Sequence, residues 1–290
     1  MNNIVRSIIK YATNIKQGIH SNIYMIIGCY GILAIVLVCC ATKWLFNVEL
    51  APIFPPLLPP AWQSNGELNH ILGTDNLGHD IFNYLLVSYK TTLVLTLRVA
   101  FYVMIIGAII NYLLFFIPQL RWLIATLFRL VIAIPPLLSA IVIALVWNNN
   151  INEILMIVAI SYLPRFIHNI HHQIVDEWQK TYITAHRLDG LSTPQILNFY
   201  ILPNIFPAYL TEIIVLFSQI ILSLTVLTFL GFGHNLATPD LGTAMYQMLN
   251  IINSNFWAFF VPGMMIIITV LFIHMLNLGV HMMLTKRGGN

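Results

Sequence analysis

Apolar positions run along this chain in long unbroken blocks, not in the two-residue alternation of half-buried strands. No Asp, Glu, Lys or Arg occurs from Gln17 to Thr42, which predicts a first membrane-crossing helix over Asn22–Leu45. Further blocks predict crossings near Leu93–Ile117, with Arg98 close to its start, near Leu123–Trp147, with Pro135 and Pro136 inside, and near Phe206–Leu230 and Phe256–Met282. Each approaches or exceeds the roughly 20 apolar residues that a helix needs to cross a bilayer. Ile151–Ile170 is a sixth, less uniform block, charge-free only from Ile154 to Pro164.

Composition agrees with that pattern. The chain is 59% hydrophobic and 8% charged, against about 25% charged residues in soluble domains. Only helices or closed barrels satisfy their backbone groups in lipid, and barrel strands are short and alternating. The expected fold is an all-α integral membrane protein. Lys and Arg set the topology, because cytoplasmic loops are enriched in them. With six transmembrane helices and both termini inside, Arg6, Lys10, Lys16, Arg121, Arg129, Arg165, Lys180, Arg187, Lys286 and Arg287 lie inside. Lys43, Lys90 and Arg98 lie outside, ten against three; deleting the fourth span gives five against eight. The predicted organisation is an inner tail 1–21, a first span 22–45, an outer segment 46–90, a core 91–283 and an inner tail 284–290.

The net charge of +3 reflects those inner cations and implies no nucleic-acid partner. Cys29, Cys39 and Cys40 all sit in the first apolar block, with neither a disulfide framework nor zinc spacing. That block is about a full span long and lacks an A-x-A site, so it is not expected to be a cleavable signal. The Pro-rich "APIFPPLLPPAW" is expected to be extended.

One polar stretch interrupts the core, "QKTYITAHRLDGLSTPQILNFYILPN", residues 179–204. Trp178, Tyr182, Ala185 and Leu188 recur at helical spacing, with Lys180, Arg187 and Asp189 off that stripe. Gly190 stops the helix, and Ser192-Thr193-Pro194 restarts one with a hydroxyl cap and an early Pro. Ile196, Leu197, Tyr200 and Ile201 form an apolar face before Pro203, where the second helix is expected to end. The product is two short helices meeting at a glycine. Such a pair can lie on the headgroups or project as a rigid elbow; a surface-lying helix needs no elbow, which favours a lever.

Other constellations are less directive. His168, His171 and His172 have metal-like spacing, but only Asp176 is near enough to complete a shell, and a polar helix face is the preferred reading. Asp75 and Asp80 in "GTDNLGHD" fit a turn and a capped helix start better than a metal-dependent transferase. Glu212, two turns into the fifth span, is a functional suspect by default as an ionisable residue in a membrane span, or, near the inner interface, a partner for Arg165 or a loop cation. Gly28 and Gly31 hint at close helix packing. No G-x-x-x-x-G-K-[ST] loop occurs, so the chain does not bind ATP in the Walker manner. A secondary transporter would carry ionisable groups near the midplane, whereas Arg98, Arg129, Glu153 and Glu212 lie toward span ends. A membrane-embedded enzyme would need a tight acid, base or ligand cluster, and none is visible.

"YITAHRLDGLSTPQILNFYILPN" resembles the cytoplasmic EAA loop of ABC-importer permeases, with Ala185 on the first Ala, Gly190 on the Gly, and Ile201, Leu202 and Pro203 on the closing Ile-x-Leu-Pro. "LGTDNLGHDIF" (72–82) resembles the LGTDxxGRD signature of the C-type permeases of dipeptide and oligopeptide transporters. "LTFLGFGHNLATPDLG" (227–242) resembles their LSFLGLGxxxPxPxWG segment. Within that branch, "LLPPAW" before "LGTD", with "RLDGLST", is most similar to the C permeases of Sap transporters, named for sensitivity to antimicrobial peptides. The resemblance covers about residues 50–280. Thr184 replaces the family's Glu, His186 its second Ala, His79 its Arg and Leu241 its Trp. Loss of the Glu implies a dedicated ATPase.

The resemblance implies a type I importer permease fold (MetI-like) in the bacterial inner membrane. It implies a non-catalytic subunit assembled with a second permease, two cytoplasmic ATPases and a periplasmic solute-binding protein, with ATP and Mg on the ATPases and no cofactor on this chain. The coupling loop would be 178–204, using Tyr182, Thr184, Ala185, Arg187, Asp189, Gly190, Ile201, Leu202 and Pro203. Gly73, Thr74, Asp75, Gly78 and Asp80 would form the periplasmic signature. Cationic antimicrobial peptides, dipeptides, exported putrescine or another small cation all remain open as cargo.

Overall fold

In this computed structural model the described residues are 22–45, 54–117, 128, 131–147, 150–233 and 238–285. Helices α1 (Ile23–Leu45), α2 (Ile81–Phe116), α3 (Pro136–Val146) and α4 (Ile151–Trp178) lead into a short α5 (Thr181–Leu188). Then follow α6 (Thr193–Phe229), α7 (Leu241–Met248) and α8 (Phe256–Thr285). Among the described residues there is no strand, only an isolated bridge between Thr74 and Asp80. The expected N-terminal tail, residues 286–290, Arg121 and Arg129 lie outside the described residues, while α8 runs two residues into the expected C-terminal tail.

Five helices, α1, α2, α4, α6 and α8, are long and apolar enough to cross a membrane. The expected third crossing is represented by α3, 11 residues long, because the chain breaks just before Pro136, where Pro135 caps the helix and Pro136 opens it. The all-helical membrane fold stands, with five full-length helices and one shorter apolar helix in place of a closed count of six.

Two expected boundaries move. Helix α2 begins at Ile81, not near Leu93, because Asp80 caps it: Asp80 Oδ1 accepts from Asn83 N at 2.9 Å. Its 36 residues extend about 54 Å at 1.5 Å per residue, well beyond a hydrocarbon core about 30 Å thick. The second helix of the polar stretch does not end at Pro203 but continues into α6 as far as Phe229. The reason is a five-residue π segment, Leu197–Ile201. Pro203 has no N–H to give and its ring would press on the carbonyl four residues back; the wider turn, in which Leu202 N bonds Leu197 O, relieves that conflict.

The largest core cluster joins α2, α4 and α6 through Val99, Val103, Ile154, Phe166, Ile220 and Leu224. A Cβ on Gly107 would lie 2.5 Å from the Phe166 ring, so α2 and α4 are held at glycine distance there. Helix α1 rests on α8 with similar intimacy, since a Cβ on Gly28 would lie 2.5 Å from Leu276 N and one on Gly279 2.5 Å from Met25 Cβ. Close packing is thus what Gly28 and Gly31 serve, Gly31 against Phe272.

Candidate functional site

The polar stretch builds a bracket between α4 and α6. Its first arm, α5, ends in a two-bond left-handed cap: Gly190 N donates to Arg187 O at 3.1 Å and Leu191 N to His186 O at 3.2 Å. Gly190 has φ +81, and a Cβ there would meet nothing within 4 Å. The glycine is required by backbone conformation, not by space. The second arm restarts at Ser192, whose N and Oγ both donate to Gln195 Oε1 at 2.9 Å, with Pro194 in the first turn.

The buried face of α5 is not the expected stripe. Ile183 is fully buried and joins the core beside Ile196, Leu197 and Ile201, while Ala185 is exposed and Leu188 is 85% exposed. Only Trp178 and Tyr182 of that stripe pack inward. The inward face of α5 runs instead through Tyr182, Ile183 and His186, which leaves Ala185 and Leu188 on the far side of the helix. Thr184, Ala185, Arg187, Leu188, Asp189 and Gly190 therefore form an exposed crest. Arg187 lays its guanidinium 3.9 Å above the Trp178 ring, and Asp189 stands 3.8 Å from His186 Nδ1. His186 in turn packs 4.0 Å from the Tyr200 ring, tying the arms together.

Glu177 holds the root of the bracket. Its Oε1 accepts from Tyr182 Oη at 2.7 Å and Asn204 Nδ2 at 3.3 Å, and its Oε2 accepts from Lys180 Nζ at 2.6 Å. Burial first, and then the Glu177 hydrogen bond, push the Tyr182 phenol up to about 12, so it stays protonated and donating. One carboxylate thus links α4, α5 and α6. Ile201 is buried, Leu202 is partly exposed and Pro203 is half-buried at the start of the regular α6.

A second knot surrounds "LGTDNLGHD". Thr74 Oγ1 donates to Pro55 O at 2.6 Å and accepts from Leu58 N at 2.9 Å, which turns the Pro-rich run back on the motif; that run is folded, not simply extended. Asp75 Oδ1 accepts from Leu77 N and His79 N, and Asp75 Oδ2 pairs with His79 Nδ1 at 2.8 Å. Asp80 caps α2 and holds buried His70 at 2.7 Å. Gly73 and Gly78, at φ +78 and +86, make the turns. Both carboxylates are consumed by turns and a helix cap, as the bland reading expected.

In the third stretch, residues 234–237 lie outside the described ones. Asp240, 3% exposed, accepts from Thr228 Oγ1 and Thr243 Oγ1, both at 2.5 Å, and from Gly242 N and Thr243 N. Leu241 N reaches Thr92 Oγ1 at 2.8 Å, and the Leu241 side chain is fully buried.

The pattern of the family described as "Binding-protein-dependent transport system inner membrane component" matches residues 103–280. The chain belongs to that family. It is a multi-pass inner-membrane component of the ABC permease class. It is 31% identical over 278 residues to the "Peptide transport system permease protein SapC" of Escherichia coli O6:H1, covering 90% of this chain and 89% of that protein. To the SapC of Haemophilus influenzae it is 31% identical over 235 residues, 78% of this chain and 80% of that one. To the "Di/tripeptide transport system permease protein DppC" of Pseudomonas aeruginosa it is 30% identical over 224 residues, 77% and 74% of the two chains.

Sequence reasoning missed several residues of this permease's bracket. Glu177 and Asn204 meet across 27 positions, and nothing local marks them except that each is a polar residue flanking an apolar helix end. Among the described residues, Glu212 accepts from Asn169 Nδ2 at 2.6 Å and makes no ion pair with Arg165 or a loop cation. His168 and His172 meet edge to face with ring centres 4.3 Å apart.

Proposed function

We propose that this permease forms half of the translocation path of an ATP-driven peptide transporter, and that α5 receives force from an ATPase on another chain. The observation that carries this reading is the bracket itself. An exposed crest, Thr184 to Gly190, stands on a helix whose root is bonded to both α4 and α6 through Glu177, Tyr182 and Asn204. A push on the crest has no slack joint to dissipate it, so α4 and the start of α6 move together. The chain lacks a phosphate-binding loop of its own, and its relatives are permeases of peptide transport systems.

In this reading residues 178–204 face the cytoplasm, both termini are cytoplasmic, and the "LGTDNLGHD" knot faces the solute-binding protein. The assembly contains a second permease and two ATPases, which hold ATP and Mg. The ATPases switch the path only if they bind its two states with different affinity. The similarity to peptide-transport permeases supports peptides as cargo, and the cargo proposed here is the cationic antimicrobial class that the motif resemblance implies. Affinity purification of the tagged chain from its native membrane tests the assembly: an ATPase pair and a second multi-span permease should co-purify. ATP-independent peptide transport by this chain alone in liposomes would overturn the reading.

A further inference from the structure

Trp62 lies outside every expected crossing, yet it meets Trp257 edge to face, with ring centres 5.8 Å apart at 88°. Trp257 is the second residue of α8. It heads a stripe along one face of that helix, continued by Phe260, Met264, Ile267 and Leu271, all exposed. From Trp257 to Leu271 the stripe runs about 21 Å at 1.5 Å per residue, much of the depth of a hydrocarbon core. Every member is large, whereas contacts between membrane helices favour small residues, as α8 itself shows where Gly279 lies against Met25. The stripe therefore faces lipid, and Trp257 marks one end of it.

The Trp62 contact is held from two sides. Asn255, buried just before α8, donates from Nδ2 to Leu72 O at 2.7 Å, and its Oδ1 accepts from Ala258 N at 3.4 Å. Ala61 N donates to Ile71 O at 3.2 Å. Residues 61–72 thus form a loop closed on itself and tied to the head of α8, with Trp62 against the lipid-facing stripe. The same loop exposes Ile71 and leaves Trp62 55% and Leu68 88% exposed. Large apolar side chains in that state are stabilised by cover, and tryptophan favours the headgroup level, where its ring is shielded and its N–H stays wet. Residues 54–80 hold no Lys or Arg, and Glu67 is the only Asp, Glu, Lys or Arg within 61–72. Attraction to anionic headgroups is therefore not what would seat the loop.

We propose that loop 61–72 is an interfacial foot, seated through Trp62 in the headgroup layer of the leaflet at the start of α8, and that zwitterionic lipid suffices to hold it. Leu72 leads directly into the "LGTDNLGHD" knot, so the foot fixes that knot at the membrane surface. That this is the periplasmic leaflet rests on the orientation proposed above; the lipid contact does not.

The test uses the intact transporter in nanodiscs of phosphatidylcholine, brominated either near the headgroup or near the chain end. The emission lost on going from wild type to Trp62→Phe is the share of Trp62. That share should be quenched more by the shallow bromines than by the deep ones, and equally when phosphatidylglycerol is added. An independent probe is a nitroxide on Ile71→Cys, with Cys29, Cys39 and Cys40 replaced. It should collide with oxygen in preference to an aqueous nickel chelate, though less strongly than a nitroxide on Ile267→Cys in the middle of the stripe. Full access of the chelate to position 71 would mean that the loop stands in water, and shielding from both reagents would mean that a protein covers it. Either result, or quenching that needs phosphatidylglycerol, overturns the foot. All of these readings are the same whichever side the loop occupies, so their failure leaves the coupling role of α5 untouched.

Discussion

The Tyr182 phenol donates to Glu177 Oε1 at 2.7 Å, and Asn204 Nδ2 reaches both, 3.0 Å from Tyr182 Oη and 3.3 Å from Glu177 Oε1. Three elements separated in sequence thus share one carboxylate. Glu177→Ala strips the acceptor from three donors, Tyr182, Asn204 and Lys180, at about 1–3 kcal/mol for the buried groups left unpaired, and should loosen α5 from α6. The expected result is ATP hydrolysis that continues while peptide uptake falls about tenfold or more, a fall equivalent to about 1.4 kcal/mol of lost coupling. Glu177→Gln keeps an acceptor oxygen and should retain most uptake. Paired uptake and phosphate-release assays on the reconstituted complex decide it; undiminished uptake in Glu177→Ala removes the root from the mechanism.

Gly190 separates conformation from packing. Its φ of +81 is poorly tolerated by L-residues, yet a Cβ would meet nothing within 4 Å. Gly190→Ala should therefore cost about 1–2 kcal/mol locally and leave most transport intact. Proline fixes φ near −65° and deletes the N–H that bonds Arg187 O. Gly190→Pro should uncouple hydrolysis from uptake in a complex that still assembles, and normal uptake by that variant would rule out the elbow.

What the sequence could and could not disclose follows from the range of each interaction. Gly190, Ser192 and Pro194 act within a few residues, so the break and restart of the bracket are readable from their order alone. Pro203 misled because its usual meaning, a stop, was overridden by a π turn that no propensity encodes. The stripe through Ala185 and Leu188 had the right period, but periodicity does not say which face is buried, and Ile183 settled that by reaching the core. Glu177 with Asn204, and Glu212 with Asn169, are long-range pairs fixed by how α4 and α6 pack. Asp80 as a helix cap was legible because an Asx cap needs only its own next turn.

Asp240 carries a prediction about stability. It is buried and receives two hydroxyls and two backbone N–H groups, from Thr228, Gly242 and Thr243. Asp240→Ala leaves those donors facing a void and removes the cap of α7, a loss of about 2–3 kcal/mol from charge-assisted hydrogen bonds. Thermal unfolding of the detergent-solubilised complex should shift down by several degrees, with Asp240→Asn between the two. An unshifted transition would mean that the donors find other partners.

Leu188 tests which side of the membrane the crest occupies and what covers it. It is 85% exposed on a helix whose other end is anchored by fully buried Ile183. A leucine held in water this way gains about 1.5–3 kcal/mol when covered, so a cytoplasmic ATPase seated on the crest should bury it. Leu188→Asp replaces that gain with a charge to desolvate, and the ATPase should bind the permease about tenfold more weakly or worse. The side is read separately. With Cys29, Cys39 and Cys40 replaced, a cysteine introduced at Gly190 should react with a membrane-impermeant maleimide in inverted vesicles and not in intact cells. Labelling in intact cells would place the bracket on the periplasmic face, and no cytoplasmic motor could then reach it.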